Sequence, residues 1–129
     1  MAHYEKLQKI ISGNGFIAAL DQSGGSTPKA LLQYDVDQNY YTNDTEMHDQ
    51  IHSMRARIVS SPSFNSKNII GAILFEMTMN KQINGKASAT YLWEDLGIVP
   101  FLKIDSGLEP EENGVHLLKD IYEIDRKLE

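Results

Sequence analysis

The sequence predicts an α/β fold in which a parallel sheet is covered on both faces or rolled into a barrel. Three observations carry that expectation. The runs 16–21, 69–75 and 98–104 are apolar almost throughout, as parallel strands flanked by layers on both faces are. Amphipathic helical stretches fall between them, giving strand–helix–strand alternation. Each run also stops at or beside a charge, Asp21, Glu76 or Lys103, and in a barrel those three converge at one mouth.

The elements follow in order. Tyr4, Leu7, Ile10 and Ile11 share one helical face, and Gly13 ends that helix. Phe16-Ile17-Ala18-Ala19-Leu20 is a strand that halts on Asp21 and enters the small-residue loop Ser23-Gly24-Gly25-Ser26. Thr27-Pro28 supplies the N-cap and first-turn pairing of a helix over 28–34. Residues 39–42 have no period and form a loop. Asn43 and Glu46 have capping-box spacing, and Met47, Ile51, Met54 and Ile58 follow as an apolar stripe. Ser60-Ser61-Pro62 terminates it. After the second strand, Asn84-Gly85 marks a turn, and Ser88 caps a short helix that Gly97 closes. The third strand follows, then a short strand over 115–118, and a helical pattern at Ile121, Ile124, Asp125 and Leu128 that runs to Glu129.

Composition bounds the chemistry. At 129 residues the chain is one domain's worth, with a net charge of −6 that offers no general basic field to a nucleic acid or anionic membrane. Without Cys there is no thiolate metal site, disulfide or Cys nucleophile. No signal-like or membrane-spanning apolar run occurs, so the chain reads as cytoplasmic. Three or four parallel strands do not close a barrel, which takes about eight strands and roughly 250 residues. The whole chain, 1–129, therefore reads as the amino-terminal part of one larger barrel domain, with a carboxyl-terminal half or self-association supplying the rest.

Asp21 is the leading candidate for chemistry, a carboxylate held by a rigid strand at a pocket mouth. Lys103 interrupts an apolar strand where desolvation disfavours its charge, and a fixed cation there suits a phosphate. Ser26 belongs to a loop of small residues at a helix start, a phosphate-docking arrangement, although the spacing is neither a Walker loop nor a dinucleotide fingerprint. Glu76 and Asp105 stand beside these as supporting carboxylates, Glu76 being as well suited to pairing with a Lys or Arg. His48 and His52 sit at i and i+4 without a third ligand, which fits a solvated face better than a metal site.

Four motifs in order, GFIAALDQSGGSTPK (15–29), RARIVSSPSF (55–64), GAILFEMTM (71–79) and GIVPFLKIDSG (97–107), resemble class I fructose-bisphosphate aldolase in its bacterial form. The resemblance implies a TIM (β/α)8 barrel, of which this chain supplies the first three to four β/α units. It also implies metal-free, cofactor-free Schiff-base cleavage of fructose 1,6-bisphosphate to dihydroxyacetone phosphate and glyceraldehyde 3-phosphate, in glycolysis and gluconeogenesis. By motif match, Asp21 handles substrate hydroxyls, Lys103 lies near the reacting centre and the substrate phosphate, and Ser26 sits in the phosphate-contacting loop. Gln22 stands where many animal-type members carry Glu. No Lys here matches the motif of the family's Schiff-base lysine, so the chain is expected to be inactive alone. A non-catalytic sugar-phosphate-binding fragment, a truncated product, and another Schiff-base sugar-phosphate lyase are the alternatives.

Overall fold

A computed structural model describes residues 1–22 and 25–128 of the chain. Its organising strand is β2 (Ile69–Leu74), apolar at every position and buried at all but Ile73. β1 (Phe16–Leu20) pairs parallel to one side of it and β5 (Val99–Leu102) to the other, giving the order β1-β2-β5 among the described residues. Ile17, Gly71 and Val99 lie abreast, and so do Ala19, Ile73 and Phe101. This is the predicted α/β arrangement with a parallel sheet. Pro100 lacks an N–H donor and is accommodated because β5 is an outer strand.

Alternation along the strands separates two faces. Ala72 and Leu74, with Ala18 and Leu20 alongside, pack into the main core with Val59, Leu92 and Ile98. The opposite face carries Ile17, Gly71, Ile73 and Phe101. The expectation that the first strand is buried on both faces fails: Phe16 is 56% and Ile17 42% exposed. β1 is an outer strand, and among the described residues no layer covers this face of it.

The helices form the covering layer of the first face. α1 (Ala2–Ser12) ends at Gly13, whose N–H donates to the Lys9 carbonyl at 2.9 Å. Its apolar residues Tyr4, Leu7 and Ile11 are exposed, while Lys6 lies over the Trp93 ring at 5.6 Å. α2 (Ser26–Leu32) starts one residue before the predicted cap, so Gly25 rather than Thr27 is the N-cap. Thr27 is inside the helix and buried, and its hydroxyl has no hydrogen-bond partner among the described residues.

α3 (Asp44–Val59) begins as predicted, with Asn43 Oδ1 accepting from the Glu46 N–H at 2.9 Å. The Glu46 carboxylate reaches one residue beyond the expected box and accepts from Thr42 N and Oγ1 at 2.7 and 2.8 Å. Those bonds hold its pKa below the ordinary carboxylate value. Met47, Ile51 and Met54 are buried as the stripe predicts, and with Leu31 of α2 they form a second cluster.

Past α4 (Glu76–Met79), β3 (Gln82–Ile83) and β4 (Lys86–Ala87) form a hairpin. Asn84 and Gly85 turn it, both at positive φ (51° and 78°), the conformation two-residue hairpins favour. Ser88 opens α5 (Ser88–Thr90), which continues as a π-helical turn, Tyr91–Asp95. Ser88 is not the cap: its buried hydroxyl shares its one proton between the Thr78 and Lys81 carbonyls, each at 2.8 Å, and so ties down the end of α4.

The predicted strand over 115–118 does not form. Asn113 and Gly114, again both at positive φ, turn the chain back on itself. Isolated antiparallel bridges then join Leu108 to Leu118 and Glu112 to Val115. The helix α6 (Ile124–Leu128) follows. Among the described residues, no helix is long and apolar enough to cross a membrane.

Gly71 tests the packing of the open face. A Cβ there lands 2.7 Å from the Phe101 ring. Gly71→Ala is expected to lower unfolding stability by about 1–3 kcal/mol in urea titrations. The loss should be non-additive with Phe101→Ala, since the two changes share one contact.

Candidate functional site

Strand alternation carried one residue past each strand end puts Asp21 and Lys103 on the face of Ile73 and Phe101. Lys103 extends the ladder by donating its N–H to the Leu74 carbonyl at 2.9 Å. Both side chains line one cavity of about 580 Å³ at the carboxyl ends of β1 and β5. Gln22, Gly25, Ser26, Ser106, Gly107 and Lys119 complete its wall. Asp21, Lys103 and Ser26 are thus brought together as the sequence suggests. Ser23 and Gly24, the first half of the predicted loop, lie outside the described residues.

The two supporting carboxylates part company. The Lys103 ammonium donates to Asp105 Oδ2, while Asp105 Oδ1 accepts from the Gly107 N–H at 3.0 Å. One carboxylate therefore fixes both the cation and the backbone turn that follows β5. The Lys103 hydrogen bond, followed by that of Gly107, holds the Asp105 pKa below its ordinary value of 3.8. Glu76 does not line the cavity. It opens α4 and forms an ion pair with Arg126 at 2.8 Å, the pairing that competes with a catalytic role in the sequence.

Behind the cavity lies a residue that pattern reading overlooks. Arg55, on α3, is 1% exposed. Its Nη2 donates to the Gln22 carbonyl at 2.5 Å and its Nη1 to Thr78 Oγ1 at 2.8 Å. Desolvation pushes its pKa down to about 10, against the opposing field of Asp21. A guanidinium so placed remains charged at neutral pH and braces the turn carrying Asp21. The signal was available: Ile51, Arg55 and Val59 fall at i, i+4 and i+8 on one helical face, and both apolar members are buried.

Lys119 was also missed. The return of the chain at Asn113-Gly114 brings its N–H to the Gly107 carbonyl at 3.0 Å, beside a cavity wall twelve residues earlier in the chain.

Of the paired histidines, His52 has a defined contact. His52 Nε2 hydrogen-bonds the Gln82 carbonyl at 2.9 Å, and Asp49 takes the Lys81 ammonium. Among the described residues no group of three or more His, Asp or Glu side chains is placed to hold a metal ion. A separate cavity of about 420 Å³ beside Tyr34, Met54 and Phe64 has Arg57 as its one charged lining residue. It lacks the pairing of acid and cation found at the strand ends.

No protein-family model matches the chain. It is 58% identical over 123 residues to a fructose-bisphosphate aldolase class 1 from Clostridium acetobutylicum. The chain is a relative of the class 1 fructose-bisphosphate aldolases. The match covers 95% of this chain and 42% of the aldolase, so the chain spans less than half the length of that relative.

Two outcomes are expected at this site. A carboxyl-observed NMR titration should place the Asp105 midpoint below 3.8, and Lys103→Met should raise it toward that value. The folded-state pKa is depressed, so whatever stability the Lys103 pair adds is present at neutral pH. It is lost as pH falls through the folded midpoint. Arg55→Ala should cost about 3 kcal/mol or more in denaturant unfolding, since it leaves a cavity and strips donors from Gln22 and Thr78.

Proposed function

We propose that this chain forms the strand-one to strand-three corner of an active site for reversible cleavage of fructose 1,6-bisphosphate, in the cytoplasm, without a metal. β1, β2 and β5 are then the first three strands of a (β/α)8 barrel, and residues 1–129 belong to one barrel domain. The open outer edge of β1 and the uncovered face of Ile17 favour further strands or a second copy of the chain beside them. The observation that carries the reading is that Asp21, Lys103 and Ser26 share one cavity at the carboxyl ends of parallel strands, where barrels place their chemistry. The aldolase relative supplies the substrate class.

In this reading Asp21 accepts hydrogen bonds from substrate hydroxyls. Lys103, fixed by Asp105, presents positive charge near the reacting carbons and a phosphate, and Ser26 offers a hydroxyl from the loop. Arg55 positions Asp21 by holding the adjoining Gln22 carbonyl. The Schiff-base nucleophile must be an uncharged amine when it attacks, and the ammonium of Lys103 is committed to Asp105. No lysine of this chain is assigned that role, and the chain by itself binds sugar phosphate without cleaving it.

Calorimetric titration with fructose 1,6-bisphosphate tests the reading. Binding to the wild-type chain is expected, with Asp21→Ala weakening it about tenfold, the cost of hydroxyl hydrogen bonds to a charged acceptor. Borohydride reduction in the presence of dihydroxyacetone phosphate should leave the chain's intact mass unchanged. A reduced adduct would place the nucleophile among these residues and overturn the assignment.

A further inference from the structure

We infer that Lys119 is a second cation for the substrate phosphate, completing a charge that Lys103 alone does not provide. The inference rests on the sugar-phosphate reading of the cavity and adds a residue to it. Three charged side chains line that cavity: Asp21, Lys103 and Lys119. The Lys103 ammonium is bound by the Asp105 carboxylate, so much of its field is already neutralised. Among the described residues, no hydrogen bond or ion pair engages the Lys119 ammonium.

A phosphate monoester carries about −1.5 to −2 charges at neutral pH. Setting it beside Asp21 with only a neutralised lysine leaves the anion undercompensated. Lys119 supplies the missing charge, and the Ser106 hydroxyl in the lining of the same cavity is a neutral donor.

The position of Lys119 is built rather than incidental. Its N–H donates to the Gly107 carbonyl at 3.0 Å, and two residues earlier the Leu117 carbonyl accepts from the Glu109 N–H at 2.8 Å. These bonds seat the backbone of Lys119 on the turn that Asp105 fixes through Gly107. The cation is therefore delivered to the wall by a hairpin, while its long side chain keeps freedom to meet a ligand.

The test is a calorimetric titration of the chain and its variants with fructose 1,6-bisphosphate, with unphosphorylated fructose as the comparison. Lys119→Met should weaken fructose 1,6-bisphosphate binding about tenfold or more, and Lys119→Arg should restore most of it. Lys67→Met, remote from the cavity, should stay within about twofold of wild type. Circular dichroism should be unchanged in all three variants. If wild type binds the bisphosphate and Lys119→Met binds it within about twofold, the role of Lys119 is overturned while the Asp21–Lys103 reading stands. If wild type binds no better than it binds fructose, both fall together.

Discussion

The buried Arg55 guanidinium is the interaction on which the candidate site depends. It joins α3 to the turn after β1 through Gln22 and to α4, which follows β2, through Thr78. Two adjacent strand ends are thereby held to one helix by a single planar group. Burying such a charge is costly; the Nη1 and Nη2 bonds offset part of that cost, while the buried Nε has no partner among the described residues. Asp21 provides the compensating field, so the residue that braces the site is itself stabilised by it. Thr78 is in turn tied by its carbonyl to Ser88. The polar chain from Gln22 to Ser88 thus runs through the helix-covered side of the sheet, the side that carries the main core.

The other side of the sheet follows a different rule. Gly71 leaves room for the Phe101 ring, and among the described residues no helix lies over Ile17 and Ile73. Asp105 fixes what lies at the end of this face. By taking both the Lys103 ammonium and the Gly107 N–H, it makes the orientation of the cation and the shape of the following turn one property. Apolar packing thus determines where the strands lie, and a few charge-assisted hydrogen bonds determine where the charged groups of the cavity point.

Much of this was legible in the residues. The apolar run 69–75 announced the central strand, Asn84-Gly85 the turn between β3 and β4, and Asn43 the start of α3, because each depends on neighbours in sequence. That Asp21, Lys103 and Ser26 gather at one end of the sheet was also legible, since each lies at or just past the end of an apolar strand. What escaped were features made by distant partners. The pairing of Glu76 with Arg126 spans fifty residues, and nothing local selects it over other bases. Ser88 looks like a cap until Thr78 and Lys81 come within reach. Residues 115–118 read as a strand of the sheet because Val115, Leu117 and Leu118 are apolar, yet Asn113-Gly114 commits them to their own hairpin. Arg55 hid inside an apolar stripe, visible only once Ile51 and Val59 were taken together.

The hairpin at Asn113-Gly114 has a consequence for how such a site can diverge. Antiparallel pairing advances about 3.3 Å per residue, so changing the length of one arm moves Lys119 in steps comparable to a hydrogen bond. The hairpin lies outside the parallel sheet, and its apolar residues Val115, Leu117 and Leu118 are exposed, so such changes leave the core undisturbed. It acts as a ruler set against a fixed wall. The reach of the Lys119 side chain along the cavity wall is thus free to drift independently of the strands that carry Asp21 and Lys103.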